Sequence, residues 1–332
     1  MRFRPYDQAT DPNIVVDGSP RDNTLLTLSH WPKSGTPAEL KADTSAEIAL
    51  KYLASPRFHV ESEIVTNNHF DQDGLVGVFA LIDPATATRH HDLLIDIASA
   101  GDFGVFKTRE AARINFVVAA FSESKTSPFP KQIFSHSYPS MAAELYIRML
   151  EVFPEIIADP NKFKSLWEAE DEKLSESEAL VKQQIVTIEE NFDLDLAVVR
   201  IPDRIASFRV HRFTSPQESA CHPMAIYNAT PCTRILMVQG QEVEFQYRYE
   251  SWVQLVSRRP LPRVDLASVA EQLNASETNG GTWKFDGVDE ITPRLWLDST
   301  RETSIPADLV RQKIEEHLRT APAVWDPYDI PA

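Results

Sequence analysis

Short apolar runs alternate with longer amphipathic ones through the first half of the chain. Residues 13–17 (Asn-Ile-Val-Val-Asp) and 24–30 (Thr-Leu-Leu-Thr-Leu-Ser-His) predict buried strands, since each is a short apolar run that ends in polar residues, and residues 60–66, closing on the β-branched run Ile64-Val65-Thr66, predict another. Residues 93–97 (Leu-Leu-Ile-Asp-Ile) fit the same template. Asp43-Thr44-Ser45 offers an N-cap, with Glu47 in the first turn and Ile48, Leu50, Tyr52 and Leu53 behind it. Helical patterns also cover residues 75–82, 110–121 and 140–153. Strands that alternate with helices predict an α/β domain over residues 1–165, with a doubly wound, mainly parallel sheet covered on both faces.

The pattern then changes. Residues 166–182 are rich in Glu, Lys and Ser and predict a solvated helix, a connector over 166–184. Residues 195–201, 234–239, 242–249 and 252–257 predict strands, several of them alternating and antiparallel. Phe245, Tyr247, Tyr249 and Trp252 suit sheet packing better than a base-stacking platform. Asp265 caps a helix over 265–273, Asn279-Gly280-Gly281 is a glycine turn, and 306–319 is a last helix before a surface tail at 325–328. A smaller α+β domain over 185–332 accounts for these elements.

A length of 332 residues allows two such domains. No apolar run is long enough for a bilayer, and MRFRPYDQAT is no secretory leader. Cys221 and Cys232 have no zinc-site spacing, and so few thiols fit a reducing cytoplasm. The net charge of −16 argues against duplex nucleic acid as a partner. A small phosphorylated substrate stays open, because cations and arginines can outweigh the overall field locally.

The richest chemistry follows the strand at 60–66, in Asn67-Asn68-His69-Phe70-Asp71-Gln72-Asp73-Gly74. His69, Asp71 and Asp73 are alternate residues, so an extended segment turns them to one side. A twisted loop would divide the two carboxylates between two cations. Oxygen ligands with one imidazole suit manganese or magnesium better than zinc. Asp-x-Asp-Gly is also an ordinary turn sequence, and an EF-hand is excluded by the missing Glu. Asp17, His30 and Asp102 close other expected strands. Each has a plainer reading: a turn before Gly18 for Asp17, a core histidine beside Trp31 for His30, a turn between Gly101 and Gly104 for Asp102. His90-His91 lies in a polar segment and predicts a solvated loop; His222 lines a cleft or is exposed.

Taken together, these residues resemble the DHH phosphoesterase superfamily, which includes exonucleases, oligonucleotide and cyclic-dinucleotide phosphodiesterases, and manganese-dependent pyrophosphatases. His69-Phe70-Asp71-Gln72-Asp73-Gly74 is similar to its first motif, and Asp17 after Val15-Val16 to its second. Ser29-His30-Trp31-Pro32 with Asp43-Thr44-Ser45-Ala46-Glu47 stands where Asp-His-His and the following helix belong. Asp102-Phe103-Gly104-Val105-Phe106 resembles the fourth motif. The order here is second, third, first, fourth, as though the first strand and helix had moved inside. Further on, Val256-Ser257-Arg258-Arg259, the helix over 264–273 and Asn279-Gly280-Gly281-Thr282-Trp283 resemble the family's smaller associated domain. The chain also looks like a family with no assigned activity.

The resemblance implies two manganese ions (magnesium being the alternative) held by Asp17, His30, His69, Asp71, Asp73 and Asp102. His30, Asp71 and Asp73 would take the catalytic role. Arg258, Arg259, Gly280 and Gly281 would grip a phosphate, and Asn67 stands where some members carry a His. The implied activity is hydrolysis of a small phosphate ester, short oligonucleotide or cyclic dinucleotide by metal-activated water. The departures are Ser29 and Trp31 in place of an Asp and a His, and a loop His lost to Thr282 or Trp283. They favour the alternative, a binding or regulatory protein that has kept the fold and lost turnover.

Overall fold

The computed structural model of the protein describes residues 1–212 and 215–329. Backbone contacts divide it into two units: Met1–Lys173 with Arg209–Glu218 and Leu255–Ser257, and the remainder. Both combine helices with sheet, so the chain is of mixed α/β class.

The first unit holds β1 (Arg2–Phe3), β2 (Asn13–Val16), β3 (Thr24–Leu28), α1 (Ser45–Leu53), β4 (Ile64–Thr66), α2 (Gln72–Ile82), α3 (Pro84–Arg89), α4 (His91–Asp102), α5 (Arg109–Ser122) and α6 (Tyr138–Ala158). Its sheet has the order β1-β4-β2-β3, and every pairing is parallel. Val15 lies opposite Thr66 on one side and Thr27 on the other, so β2 is central and its strand is buried throughout. The long α7 (Lys164–Lys182) begins in this unit, and the boundary falls inside it, after Lys173.

α1 starts where its sequence signals a cap: the Thr44 side chain accepts from Glu47 N–H. α2 starts at Asp71, whose Oδ1 accepts from Gly74 N–H at 2.8 Å. The two helices pack closely because Gly77 has no side chain. A Cβ there would stand 2.5 Å from Val16 Cγ1 and 3.5 Å from Ala46 Cα. Residues 93–97 are a correction. They form the middle of α4, where Leu94, Ile97 and Ala98 are buried at i, i+3 and i+4. Asp96 interrupts the apolar run for a local reason: its carboxylate accepts from Lys107 and Thr108 N–H at 2.7 and 2.8 Å, closing the turn into α5. Asp102 therefore ends a helix, not a strand.

The second unit holds β5 (Thr187–Asn191), β6 (Leu196–Ile201), α8 (Pro223–Tyr227), β9 (Arg234–Gln239), β10 (Glu242–Tyr247), β11 (Arg263–Val264), α9 (Ala267–Asn274), β12 (Thr282–Phe285), β13 (Arg294–Asp298), α10 (Ala307–Thr320) and β14 (Ala323–Trp325), whereas β7 (Phe208–Arg212) and β8 (Ser215–Ser219) belong to the first unit except for Phe208 and Ser219. Its main sheet, β12-β13-β10-β9-β6-β5, is antiparallel except for the β6–β9 pair. Leu236, Phe245, Val269, Leu273, Val310 and Ile314 share one core. Residues 252–257 are not a strand: Val256 is 59% exposed, and the N–H groups of Val256 and Ser257 donate to Asp43 Oδ1 at 2.6 and 2.8 Å. The start of the expected surface tail pairs instead, as β14 against β11. Among the described residues, no helix is long and apolar enough to cross a membrane.

Candidate metal centre

Parallel strands carry their carboxyl ends to the same edge, and in open α/β sheets that edge is where sites are built. Asp17 follows β2 with a left-handed backbone, φ 49°, and donates its N–H to Leu28 O at 2.9 Å. His30 follows β3, two residues past Leu28. His69, Asp71 and Asp73 follow β4 and open α2. Asp17, His30, Asp73 and Asp102 are each at most 5% exposed.

The side chains converge. His30 Nε2 lies 3.6 Å from Asp17 Oδ1, 3.7 Å from Asp73 Oδ2 and 3.4 Å from Asp102 Oδ2. His69 Nε2 lies 2.8 Å from Asp71 Oδ2 and 3.2 Å from Asp17 Oδ2. Two trios of candidate ligand atoms, Asp17–His30–Asp73 and Asp17–His69–Asp71, each fall within 4.8 Å of one another. Asp17 belongs to both. Asp71 and Asp73, two residues apart, belong to different trios because α2 starts between them.

Neighbouring groups hold this arrangement in place. Ser45 and Ala46 N–H, at the start of α1, donate to Asp73 at 2.7 and 2.6 Å. Ser45 Oγ donates to Asp17 Oδ1 at 2.8 Å. His30 Nδ1 is 2.6 Å from the Asp43 carbonyl oxygen. A carbonyl only accepts, so Nδ1 carries the proton, and a neutral ring then presents its lone pair at Nε2. Trp31 stacks on His69 with ring centroids 5.2 Å apart.

The electrostatics follow from burial. Burial, then the charges of Asp17 and Asp71, push Asp73 well above the usual carboxylate range. Burial, then Asp73, Asp71 and Asp17, push Asp102 well above it too. Burial also works against ionised Asp17, but the charge and hydrogen bond of His69 outweigh it and bring Asp17 down. Burial lowers His30 in spite of Asp17, favouring the neutral ring. For His69 burial is overcome by Asp71 and Asp17, and its pKa is raised well above an ordinary histidine.

A lone pair at His30 Nε2 thus faces oxygens of three carboxylates at 3.4–3.7 Å. Protons on Asp73 or Asp102 relieve this, and so does a cation. Asp102 Oδ2 is buried without a hydrogen-bond partner, the condition in which a buried acceptor is costly, and Asp17 Oδ2 has the His69 ring alone, at 3.2 Å. Anionic oxygens with one imidazole per trio, and a histidine fixed through its other nitrogen, fit a hard divalent cation.

A family model, described as a family of unknown function (DUF6687), matches residues 1–329. The chain belongs to the DUF6687 family. No curated protein and no solved structure gives a significant match. The centre of this DUF6687 protein therefore rests on its own residues.

The other expected site residues lie as follows. Asn67 is buried, and its Oδ1 accepts from His69 N–H at 2.9 Å. Arg258, Arg259, Gly280 and Gly281 belong to the second unit. Arg258 donates to the Pro231 carbonyl and is 3.4 Å from Glu250 Oε1. Arg259 bonds Asp326 at 2.6 Å and Asp329 at 3.2 Å. Gly280 has φ +80°, and a Cβ at Gly281 would stand 2.6 Å from Thr300 Oγ1 and 2.7 Å from Leu297 Cδ1, so this turn already has a structural reason for glycine. His222 is buried, and its Nδ1 accepts from Met224 N–H at 3.2 Å as a helix cap. His90 and His91 open α4 instead of forming a loop before a strand.

Sequence reasoning passed over Tyr146 and the main-chain supports. Tyr146 Oη and Asn67 Nδ2 are both buried without a hydrogen-bond partner. A Cβ on Gly74 would stand 2.3 Å from the Asn67 nitrogen and 2.5 Å from the Tyr146 oxygen. Nothing in the helix pattern around Tyr146 signals this. The Asp43-Thr44-Ser45 cap did carry a signal, but only for the helix start.

Proposed function

We propose that this centre holds two divalent cations that share Asp17, and that the protein is a metal-dependent phosphoesterase. The shared carboxylate carries the reading: Asp17 Oδ1 faces His30 and Oδ2 faces His69, at 3.6 and 3.2 Å. Asp73 completes one trio and Asp71 the other, with Asp102 beside His30 at 3.4 Å. Manganese suits this donor set, with magnesium the alternative. When bound, two such ions supply charge neutralisation at a phosphoryl group and a nucleophilic water at neutral pH.

The chain's own residues supply the rest. The Asp43 carbonyl holds His30 in the tautomer that ligates. The first N–H groups of α1 orient Asp73, and their hydrogen bonds partly oppose the rise in its pKa. Trp31 covers one face of His69 and limits water there. A rearranged, doubly wound DHH-like sheet is supported by the position of β4, which stands between β1 and β2. The motif-bearing ends of β3, β2 and β4 are then neighbours in spite of their order in the chain. The substrate class, a small phosphate ester, short oligonucleotide or cyclic dinucleotide, comes from that resemblance, and the two buried free thiols fit a cytoplasmic protein.

Trp31 favours a second reading, a binding or regulatory protein, because it fills the place of a histidine and already stacks on His69. Calorimetric titration of metal-free protein with manganese, followed by assay on bis-p-nitrophenyl phosphate, separates the two. Two ions per chain with turnover supports the phosphoesterase. Two ions without turnover selects the second reading, and no manganese binding with no thermal response refutes the metal centre.

A further inference from the structure

A groove runs along the edge of the first unit's sheet. One part, of about 250 Å³, is lined by Tyr6, Asn67, Asn68 and Pro139. The next, of about 720 Å³, is lined by Arg2, Arg4, His136 and Ser137. Both parts share Pro5, Gln8, Ser140 and Ala143, so they form one continuous depression. Its near end adjoins the metal centre: Asn68 Oδ1 is 3.4 Å from His69 Nδ1, and Asn67 bonds the His69 backbone. Its far end is held by the edge strand. Arg4 N–H donates to Val65 O at 3.0 Å, which sets Arg4 beside Thr66 at the strand spacing of about 4.8 Å.

The side chains of Arg2 and Arg4 make no ion pair or hydrogen bond among the described residues, although the chain carries a net charge of −16. Two acidic residues line the groove. Asp7 lies at the asparagine end. Glu144 lies near the arginines but is 3.3 Å from Arg148 Nε. The arginine end therefore has uncompensated positive charge, with His136 beside it. Tyr6, Pro5 and Pro139 give the stretch between the two ends an apolar wall.

We propose that Arg2 and Arg4 form a second phosphate subsite, and that the favoured ligand carries two phosphate groups separated by an apolar spacer. The placement of the first phosphate rests on the two-cation reading; the arginine subsite itself does not. Guanidinium groups suit the task because their planar fork meets phosphate oxygens two at a time.

Calorimetric titration of the manganese-loaded full chain with 1,6-hexanediol bisphosphate and with hexyl phosphate tests the idea. The bisphosphate is expected to bind about ten- to a hundredfold more tightly, the range for added charge-assisted hydrogen bonds. The Arg2→Ala/Arg4→Ala variant should lose that preference while keeping its manganese stoichiometry and its affinity for hexyl phosphate. Equal affinities in the parent protein, or a preference that survives in the variant, overturn the subsite. A second measurement separates this from the metal centre. With EDTA present, inorganic pyrophosphate should raise the melting temperature of the parent and leave the variant unmoved. If that shift occurs while manganese binding fails, the cation reading falls and the subsite stands; if it is absent, the subsite falls.

Discussion

Replacing Asp17 with Asn separates a metal centre from an ion-paired network, because the two make opposite demands on that carboxylate. If the cluster is structural, Asp17 is a buried counter-ion to His69, at 3.2 Å. Removing one partner of a buried ion pair costs about 3–5 kcal/mol. In a unit of this size that is roughly 6–20 °C in melting temperature. If the cluster is a metal centre, the metal-free protein carries more negative charge than it can balance, and the loss is small. His69 keeps Asp71 at 2.8 Å. The amide introduced by Asp17→Asn still offers an acceptor to Ser45 Oγ. Asp73 and Asp102, both raised in part by Asp17, would be relieved. What disappears is the response to manganese. At one hundred times its dissociation constant an ion stabilises by about 2.7 kcal/mol, or roughly 5–11 °C. The assay is thermal unfolding of parent and Asp17→Asn, each with EDTA and with manganese. The expected result is a near-parental melting temperature in EDTA and loss of most of the manganese shift. A variant that melts far lower in EDTA yet keeps the full manganese shift would refute the reasoning.

Two further outcomes follow from the same geometry. The manganese shift should grow from pH 6 to pH 8. The raised pKa of His69 stabilises the metal-free fold below about 6.5, and that contribution is lost as pH rises through its folded value. Asp73 and Asp102 add to this trend, since the fold holds protons there that the unfolded chain releases. Manganese displaces these protons, so a shift that is equal or larger at pH 6 would contradict the scheme. Separately, Gly74→Ala should cost about 1–3 kcal/mol, because its Cβ would press on Asn67 Nδ2 at 2.3 Å and Tyr146 Oη at 2.5 Å. An unchanged melting temperature in EDTA would contradict that crowding.

Much of the fold was legible because the strands are short, apolar and closed by polar residues, as at Asn13–Val16 and Thr24–Leu28. The failure at residues 93–97 has a physical cause. Five residues cannot distinguish the two periods, since Leu93, Leu94, Ile95 and Ile97 satisfy a buried strand and a helix face alike. The deciding evidence lay further on, in Ala98 and Ala100, which extend the buried helical stripe to Asp102. At 252–257 the local sequence is β-compatible, but the N–H groups of Val256 and Ser257 are taken by Asp43, more than two hundred residues away in the chain. A long-range partner of that kind leaves no trace in local propensity.

The same limit explains what the centre disclosed and withheld. Side-chain types at strand ends named Asp17, His30, His69, Asp71 and Asp73, because a parallel sheet sends those ends to one edge whatever their order in the chain. Asp102 joined them for a reason the pattern misread: it closes α4, and its Oδ2 still reaches 3.4 Å from His30 Nε2. Backbone supports were invisible, since any residue can lend an N–H or a carbonyl. Asp43 illustrates this. Its side chain marked a helix start, while its carbonyl oxygen, 2.6 Å from Nδ1, is what holds His30 in the tautomer that ligates. Replacing Asp43 would therefore disturb the contacts to Val256 and Ser257 before it touched His30. The tautomer depends on a main-chain oxygen that no side-chain substitution removes.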